Sequence, residues 1–405
     1  MMTAYLPYAL DWANLLLRWA HVVSAIAWIG ASFYFVFLDN SLISPSDPEL
    51  VKKGVDGELW AVHGGGFYNP QKYLVAPKQL PENLHWFYWE AYSTWLTGFA
   101  LFTVLYLFNA GIFLVDKSIH DWSASAAIGA ALGFLVAGWG VYDVICRSFG
   151  QRKNGDLIVG AGLFVFVVFA TWLACQLFAG RAAFLLVGAM LATAMSANVW
   201  VWIIPGQRKV VAQLKAAQPV NPLYGWRARQ RSVHNTYFTL PVLMAMLSNH
   251  YGWLYSAKGN WLVLVLLMLA GALIRHSFVA RHKAGVKGRR TPWEYAGYGT
   301  VLLVGLAIWL APPPPSAAAL AAVEKPPGFA EVNSVITQRC VMCHNAQLQN
   351  KGIALHTPEL LKQNAQAVYQ QVVILRLMPF NNASRITEDE RAVIKRWFEA
   401  GALLN

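Results

Sequence analysis

The chain has 405 residues, of which 57% are hydrophobic and only 13% are charged, and its formal net charge is +12. Soluble domains carry about 25% charged residues, so this composition excludes an ordinary water-soluble enzyme. Apolar runs fill residues 1–311, whereas the C-terminal residues have the charge content of a soluble domain. The sequence therefore predicts an all-α protein with three parts, namely a membrane domain at 1–311, a Pro/Ala-rich linker at 312–328 and a small helical domain at 329–405.

Eight segments of the membrane domain are apolar enough to cross a bilayer, which takes about 20 apolar residues. They are 12–38, 86–108, 124–146, 157–178, 182–204, 234–254, 260–279 and 295–311. Eighteen Lys and Arg fall in the loops on one side of these spans and three on the other, so the basic side is predicted to be cytoplasmic. Both termini then lie in the periplasm of a bacterial inner membrane. The positive charge indicates membrane topology rather than nucleic-acid binding, and the basic loops suit either contact with anionic lipids or an anionic substrate.

The first predicted span carries ionisable side chains, which are costly inside a membrane and often functional. Arg18, His21, Ala25 and Trp28 are spaced so that they share one face of a helix. His21 is a candidate ligand of a non-covalent haem b. A hydrogen bond from His21 to a neighbouring helix is an equally good interpretation.

The loop after this span contains three consecutive glycines in His63-Gly64-Gly65-Gly66. Their exposed backbone amides suit an anion or a flat polar ligand, and a plain flexible turn is the alternative. The sequence resembles an esterase oxyanion loop only superficially, because the chain has no G-x-S-x-G nucleophile motif.

Polar residues recur in the later spans. The sixth span begins with His234-Asn235, contains Pro241 and ends near His250. His234 and His250 are about 24 Å apart along a helix, so one haem cannot use both. The pair Arg275-His276 falls inside the seventh span, and snorkelling of Arg275 towards the interface is the alternative to a functional role. Asp143 and Arg147 are spaced for an ion pair on one helix.

Cys340-Val-Met-Cys343-His344 is a CxxCH sequence, the attachment signature of a c-type haem. Two thiols at this spacing reach the two vinyl groups of the haem, and the adjacent imidazole of His344 faces the iron. Covalent haem attachment takes place on the periplasmic side, where the charge count places this domain. The sequence therefore predicts one covalent haem c held by Cys340 and Cys343.

Met378 is the predicted second axial ligand of that haem, and His356 is the competing candidate. Met/His ligation raises the potential of a haem, which suits an electron acceptor. In the same domain, Phe329, Val332 and Ile336 are predicted to pack against Trp397 and Phe398 of a final helix at 387–401.

Taken together, these motifs resemble the bacterial membrane-bound urate oxidases, also called urate hydroxylases, over essentially the whole chain. The resemblance is carried by Trp19-Ala-His21 with Trp28-Ile-Gly30, His63-Gly64-Gly65-Gly66-Phe67, His234-Asn235-Thr236-Tyr237, Leu240-Pro241-Val242, Asn249-His250-Tyr251 and Cys340–His344. It implies oxidation of urate to 5-hydroxyisourate in purine breakdown. It also implies that electrons leave through the cytochrome domain to the respiratory chain, through a terminal oxidase or a soluble cytochrome.

The resulting hypothesis is that urate, a planar monoanion, binds Arg275, the loop residues His63, Gly64 and Gly65, and His234 with Asn235. His276 or His234 serves as the general base for the attacking water. This site is predicted to face the cytoplasm, so most of a ~30 Å membrane separates it from a periplasmic haem c. A haem b with His21 and His250 as ligands is therefore predicted between the two.

Two rival functions remain open at this stage. The chain could be an electron-transfer cytochrome that oxidises quinol or another carrier without urate chemistry, or a transporter fused to a redox sensor.

Overall fold

The computed structural model describes residues 2–73, 76–311 and 327–404, and these residues are mostly helical. Residues 312–326, nearly all of the predicted linker, lie outside the described residues.

The N-terminal region consists of long helices joined by short loops. Its helices are α1 (Met2–Ser41), α2 (Pro48–Lys53), α3 (Trp89–Phe102), α4 (Ala110–Phe113), α5 (Ala124–Phe149), α6 (Gly155–Leu177), α7 (Gly180–Ala197), α8 (Ile204–Lys215), α9 (Pro222–Leu247), α10 (Gly252–Tyr255), α11 (Asn260–Val286) and α12 (Glu294–Trp309). Two π-helical segments, Thr103–Leu107 after α3 and Asn198–Ile203 between α7 and α8, extend the neighbouring helices. A 3-10 turn, Ser248–His250, follows α9.

Five helical stretches among the described residues are long and apolar enough to cross a membrane. They are Tyr8–Ser41, Ala124–Phe149, Gly155–Leu177, Gly180–Lys215 and Asn260–Val286. The other three predicted spans also fall on helices, namely α3, α9 and α12. Helices α3 and α12 have only 14 and 16 residues, and α9 has 26 residues but a polar first half.

Helix α7 lies at the centre of the bundle. It contacts α5, α6 and α9, and its side chains form the middle of the main hydrophobic core. Small residues make this close packing feasible, because Gly138 of α5 faces Met190 and Gly188 of α7 faces Ala245 of α9. Helices α1 and α3 pack against each other at one side of the bundle, and α1 also contacts α11.

Four short strands, which the sequence analysis does not predict, follow α2. Strand β1 (Val55–Glu58) pairs antiparallel with β4 (Gln71–Tyr73), and β2 (Ala61–His63) pairs antiparallel with β3 (Gly66–Tyr68). The all-α prediction is therefore wrong for this loop. The inner pair forms around Gly64 and Gly65, whose positive φ angles suit the two-residue turn between β2 and β3.

The C-terminal region is a small helical domain with its own core. Its helices are α13 (Phe329–Arg339), α14 (Pro358–Gln363), α15 (Ala365–Val368) and α16 (Glu388–Glu399), with a π-helical segment at Tyr369–Ile374. The predicted core is confirmed: Val332, Ile336 and Trp397 are buried together, and Phe329 and Phe398 pack against them.

An ion pair connects the first and last helices of this domain. Arg339 donates to the carboxylate of Glu390 at 2.8 Å and to the carbonyl of Ser384 at 2.7 Å. Glu390 also accepts the backbone N–H of Thr387 at 2.7 Å, which completes a capping box at the start of α16. Partial burial raises the pKa of Glu390, but the hydrogen bonds from Arg339 and Thr387 outweigh it, so the net shift of the pKa is downward.

We expect Glu390→Gln to lower the free energy of unfolding of this domain by about 1–2 kcal/mol at neutral pH. Because the pKa is depressed in the folded state, this stabilisation is present above the unfolded pKa of about 4.3 and is lost as the pH falls through the folded pKa. Pulse proteolysis of the full chain in urea, following the C-terminal fragment, should show a difference from wild type at pH 7 that shrinks towards pH 3. Glu331→Gln, an exposed position on α13, is the control.

Candidate functional site

A buried polar cluster lies where α5, α9 and the end of α7 meet. The amide of Asn198 donates to the hydroxyl of Tyr142 at 2.7 Å and to the side-chain oxygen of Asn235 at 2.9 Å. The Tyr142 hydroxyl lies 3.0 Å from Nδ1 of His234, and Asn235 donates to the carbonyl of Met195. His234 and Asn235, both predicted site residues, are thus held in fixed orientations by Tyr142 and Asn198.

Next to this cluster, Asp143 is shared by two arginines. Its carboxylate accepts from Arg231 at 2.8 Å and from Arg147 at 2.9 Å, and the indole N–H of Trp202 donates to it at 2.7 Å. The predicted ion pair between Asp143 and Arg147 is confirmed. Arg231, whose guanidinium also lies over the rings of Tyr142 and Trp202, is the deeper partner.

Arg275 occupies a buried position of α11. Its guanidinium carbon is 3.6 Å from the centre of the Phe33 ring of α1. Within the described part of the chain, neither Nε nor one terminal nitrogen of Arg275 has a hydrogen-bond partner, although both are inaccessible to solvent. Two buried guanidinium nitrogens without partners are costly, and an anion is the kind of group that would satisfy them.

His276 is linked to α9 through Tyr237. The Tyr237 hydroxyl lies 2.7 Å from Nδ1 of His276, and the imidazole also packs edge-on against Tyr295. His276 and Arg275 are consecutive residues of α11, but neighbouring residues of a helix project in different directions, and no contact among the described residues joins the two side chains.

A cavity of about 650 Å³ lies between α6, α9 and α11. Its walls are mostly apolar, and its polar lining residues are Asp156, Arg229, Gln230, His234 and Tyr237. His234 therefore borders the cavity directly, and His276 lies behind Tyr237. The cavity wall thus includes His234 but not His276, and Asn235 contacts Met195 and Asn198 instead.

The structure does not bring His21 and His250 together. His21 donates through Nδ1 to the carbonyl of Thr94, 3.0 Å away, and its ring packs on Gly98 of α3. His250 is exposed in the turn after α9, next to Asn249, whose side chain contacts Tyr106. No contact among the described residues joins His21 to His250, and the haem b that the sequence predicts for this pair stays a prediction.

The glycine loop forms the tip of a hairpin. His63 pairs with Gly66, and Gly64 and Gly65 adopt φ angles of 57° and 80°, which a two-residue turn of this type requires. The neighbouring Phe67 is 77% exposed. No hydrogen bond or ring contact among the described residues joins this tip to Arg275, His234 or Asn235, so the glycines are explained by the turn itself.

Comparison with known protein families identifies the N-terminal region. The model of the Urate oxidase N-terminal family matches residues 7–311. The chain belongs to this family. No curated protein and no solved structure matches it. The match covers the polar cluster, Arg275, His276 and the cavity, and it gives this urate oxidase family member a urate-related function of the oxidoreductase type.

The C-terminal domain of this family member contains the residues predicted to hold a haem c. Cys340 is buried and Cys343 exposed, both as free thiols, and burial raises the pKa of the Cys340 thiol to about 12. Nδ1 of His344 lies 3.0 Å from the carbonyl of Ile353, which leaves Nε2 for a metal, as is usual for ligating histidines. Met378 packs against the domain core, whereas the competing His356 is exposed. This donor set fits a covalently attached haem.

Sequence reasoning misses three residues of the polar cluster: Tyr142, Asn198 and Arg231. Asn198 is the first residue of a π-helical segment, a distortion that is frequent at functional sites. A lone Asn in the apolar run 182–204 is the signal that could have singled it out.

Proposed function

We propose that this protein oxidises urate to 5-hydroxyisourate inside an eight-span membrane domain and passes the electrons to a haem c on its C-terminal domain. The family match over residues 7–311 supports the urate chemistry, and the CxxCH sequence supports the acceptor. The distribution of Lys and Arg supports a periplasmic C-terminal domain at a bacterial inner membrane. A terminal oxidase or a soluble cytochrome of the respiratory chain would then receive the electrons.

The buried, unpaired guanidinium of Arg275 is the observation that carries the proposal for substrate binding. Urate is a planar monoanion at neutral pH, and a guanidinium can pair with it through two parallel hydrogen bonds. Binding would supply the negative charge that Arg275 lacks. The ring of Phe33 would hold the guanidinium in place from its opposite side.

His276 is the proposed general base for the attacking water. It follows Arg275 directly, and its Nδ1 is oriented by the Tyr237 hydroxyl at 2.7 Å, so the second ring nitrogen is left for a proton. The Nδ1 of His234 is already engaged by the Tyr142 hydroxyl at 3.0 Å. The proposal therefore assigns His234 and Asn235 to support of the helix packing around the site.

Cys340 and Cys343 would attach the haem c, and His344 with Met378 would ligate its iron. When bound, the haem accepts one electron at a time. The membrane domain would carry out the rest of the reaction. It would bind the urate anion, keep water away from the negative charge of urate and remove a proton.

Anaerobic mixing of purified protein with urate tests the proposal. Urate should reduce the haem c, as seen in its visible spectrum, and 5-hydroxyisourate should form in proportion, with two haems reduced for each urate consumed. A haem spectrum that stays oxidised over many minutes would contradict the proposal.

The cavity favours a second candidate function, the oxidation of quinol. Its volume of about 650 Å³ greatly exceeds what urate needs, and its apolar walls end at polar residues such as Gln230 and His234. A planar head group with an apolar tail would match this distribution. Reduction of the haem c by a short-chain quinol, with no response to urate, would favour this candidate.

A further inference from the structure

The cavity between α6, α9 and α11 has the shape of a long slot. Its lining residues extend over 156–168 on α6 and 226–241 on α9, so the slot is roughly 20 Å long. Helices α6 and α9 both pack against α7 and α11, which also contribute lining residues and close the floor of the slot. Phe164 and Val233 line it and are nevertheless 49% and 45% exposed, so one side of the slot is open. In a membrane, this open side is accessible to lipid chains.

The polarity of the slot changes along its length. Near the beginnings of α6 and α9 the lining residues include Asp156, Arg229 and Gln230, and both helices begin at loops that are predicted to be cytoplasmic. Farther along the two helices the lining is apolar apart from His234 and Tyr237. Because the hydrocarbon core of a bilayer is ~30 Å thick, a slot of this length reaches from the cytoplasmic head-group region to about the middle of the bilayer.

Most polar side chains of the slot are already bonded to other protein groups. The amide of Gln230 donates to Asp156, and a hydroxyl of a neighbouring helix or residue lies within hydrogen-bond distance of each ring nitrogen Nδ1 involved. The pairs are Gln230 with Asp156 at 2.8 Å, Tyr142 with His234 at 3.0 Å and Tyr237 with His276 at 2.7 Å. These groups therefore explain themselves within the protein and do not call for a ligand.

Arg229 is the exception at the polar end of the slot. In the part of the chain that the structure describes, its exposed guanidinium has no hydrogen bond, ion pair or ring contact. Burial lowers the pKa of the Lys72 ammonium and the positive charge of Arg229 lowers it further, so these two cations lie near each other. Lys72 is paired with Asp39. Arg229 is thus left as a positive charge at the mouth of an apolar slot.

We propose that the slot binds one anionic phospholipid of the cytoplasmic leaflet, with its phosphate on Arg229 and one acyl chain between α6 and α9. A guanidinium pairs with a phosphate through two parallel hydrogen bonds, and the cytoplasmic leaflet is rich in anionic lipids. The inference rests on the predicted orientation in the membrane and goes beyond the proposed function. Among the described residues, neither Arg275 nor His276 lines the slot, so the lipid and urate occupy different places.

The charge at the mouth favours a phospholipid over the quinol of the second candidate function. A quinol has a neutral head group, which binds through hydrogen bonds to free donors and acceptors. The Nδ1 of His234, the hydroxyl of Tyr237 and the amide of Gln230 are engaged, whereas the group without a partner is a cation. An anionic head group uses that cation, and the apolar lining then needs only a hydrocarbon chain.

Lipid binding to the purified protein tests the proposal. Native mass spectrometry of the full-length protein, delipidated in detergent and titrated with phosphatidylglycerol, should show one tightly bound lipid. Phosphatidylcholine with the same acyl chains should bind more weakly, because its choline group cancels the charge of the phosphate. Arg229→Gln should weaken the binding of phosphatidylglycerol by about tenfold or more. Arg227→Gln is the matched control, since Arg227 lies on the same helix with its guanidinium over the Trp202 ring and does not line the slot.

Gly160 allows the place of the acyl chain to be tested separately. It lines the slot, and a Cβ at this position would meet no neighbouring group within 4 Å. Gly160→Phe should therefore fold with a normal thermal unfolding temperature and prevent binding of phosphatidylglycerol, although Arg229 is intact. Gly129→Phe on α5 is the control, because a Cβ there also meets open space but Gly129 does not line the slot.

Four results would overturn the inference. They are equal binding of the two lipids, undiminished binding of phosphatidylglycerol in Arg229→Gln, displacement of the lipid by inorganic phosphate, and its displacement by a short-chain quinol. Displacement by phosphate would indicate a site for free anions, and displacement by quinol would assign the slot to the second candidate function. None of these measurements uses urate, so a protein that urate does not reduce would contradict the proposed function and leave this inference standing.

Discussion

Replacement of Arg275 by Gln is expected to abolish urate oxidation and, at the same time, to stabilise the protein when urate is absent. Loss of the buried cation removes the partner of the urate anion, which costs about 2–5 kcal/mol of binding and weakens it by about 30-fold or more. The same change removes a guanidinium that is buried with two unpartnered nitrogens, so the folded state no longer bears that desolvation penalty. Urate titration and thermal unfolding in detergent measure the two effects.

Addition of urate should distinguish the wild type from Arg275→Gln. Saturating urate should raise the unfolding temperature of the wild type, because it binds only the folded state, and should leave Arg275→Gln unchanged. Arg281→Gln is the control on the same helix, since Arg281 is exposed and lies against Phe278. A drop in stability of Arg275→Gln without urate would show that Arg275 has a structural partner and would remove it from the proposed site.

The positions of the helices follow closely from the sequence, because apolar run length is a local property. All eight predicted segments fall on helices, and the packing of Ile336 with Trp397 follows from the spacing of apolar residues on α13 and α16. Five of the segments also meet the length and composition needed to cross a membrane. In the other three segments, the apolar run is shorter or is interrupted by polar residues. Packing against neighbouring helices therefore decides where these three helices lie.

Contacts between segments that are far apart in the sequence could not be predicted in the same way. The i, i+4 rule finds Arg147 as a partner of Asp143, but Arg231 is 88 residues away, and only the packing of α9 against α5 brings it there. The same limit applies to His21, whose partner Thr94 is 73 residues distant. A histidine in a span is equally suited to a haem or to a backbone carbonyl, and only the fold selects between them.

The glycine loop and the aromatic residues of α3 and the segment that follows it show the converse, since one local pattern can have more than one physical cause. Three glycines offer amides to an anion, yet the positive φ angles of Gly64 and Gly65 are sufficient to explain two of them. The spacing of Trp95, Phe99, Phe102 and Tyr106 is what any buried helix face shows. Its continuation to Phe113 and Phe380 appears only in three dimensions.

The ion network around Asp143 leads to the second large expected effect. The side chains of Arg231 and Asp143 are only 4% and 7% exposed, so Asp143→Asn would leave a buried guanidinium without a counter-charge and with Arg147 nearby. Loss of one partner of a buried pair typically costs about 3–5 kcal/mol. We expect the free energy of unfolding in detergent to fall by that amount. The haem c spectrum should not change, because the C-terminal domain has a separate core.

Two further variants test whether the loss of stability in Asp143→Asn comes from the buried, unpaired charge. Asp121→Asn removes a comparable acid from an exposed pair, in which Lys117 is 79% exposed, and should cost less than about 1 kcal/mol. The double variant Asp143→Asn/Arg231→Met should regain most of the loss, since an apolar side chain in place of the unpaired guanidinium restores neutrality. If Asp143→Asn alone were as stable as the wild type, water or another group would have to solvate Arg231. The ion network around Asp143 would then not be what holds α5 against α9.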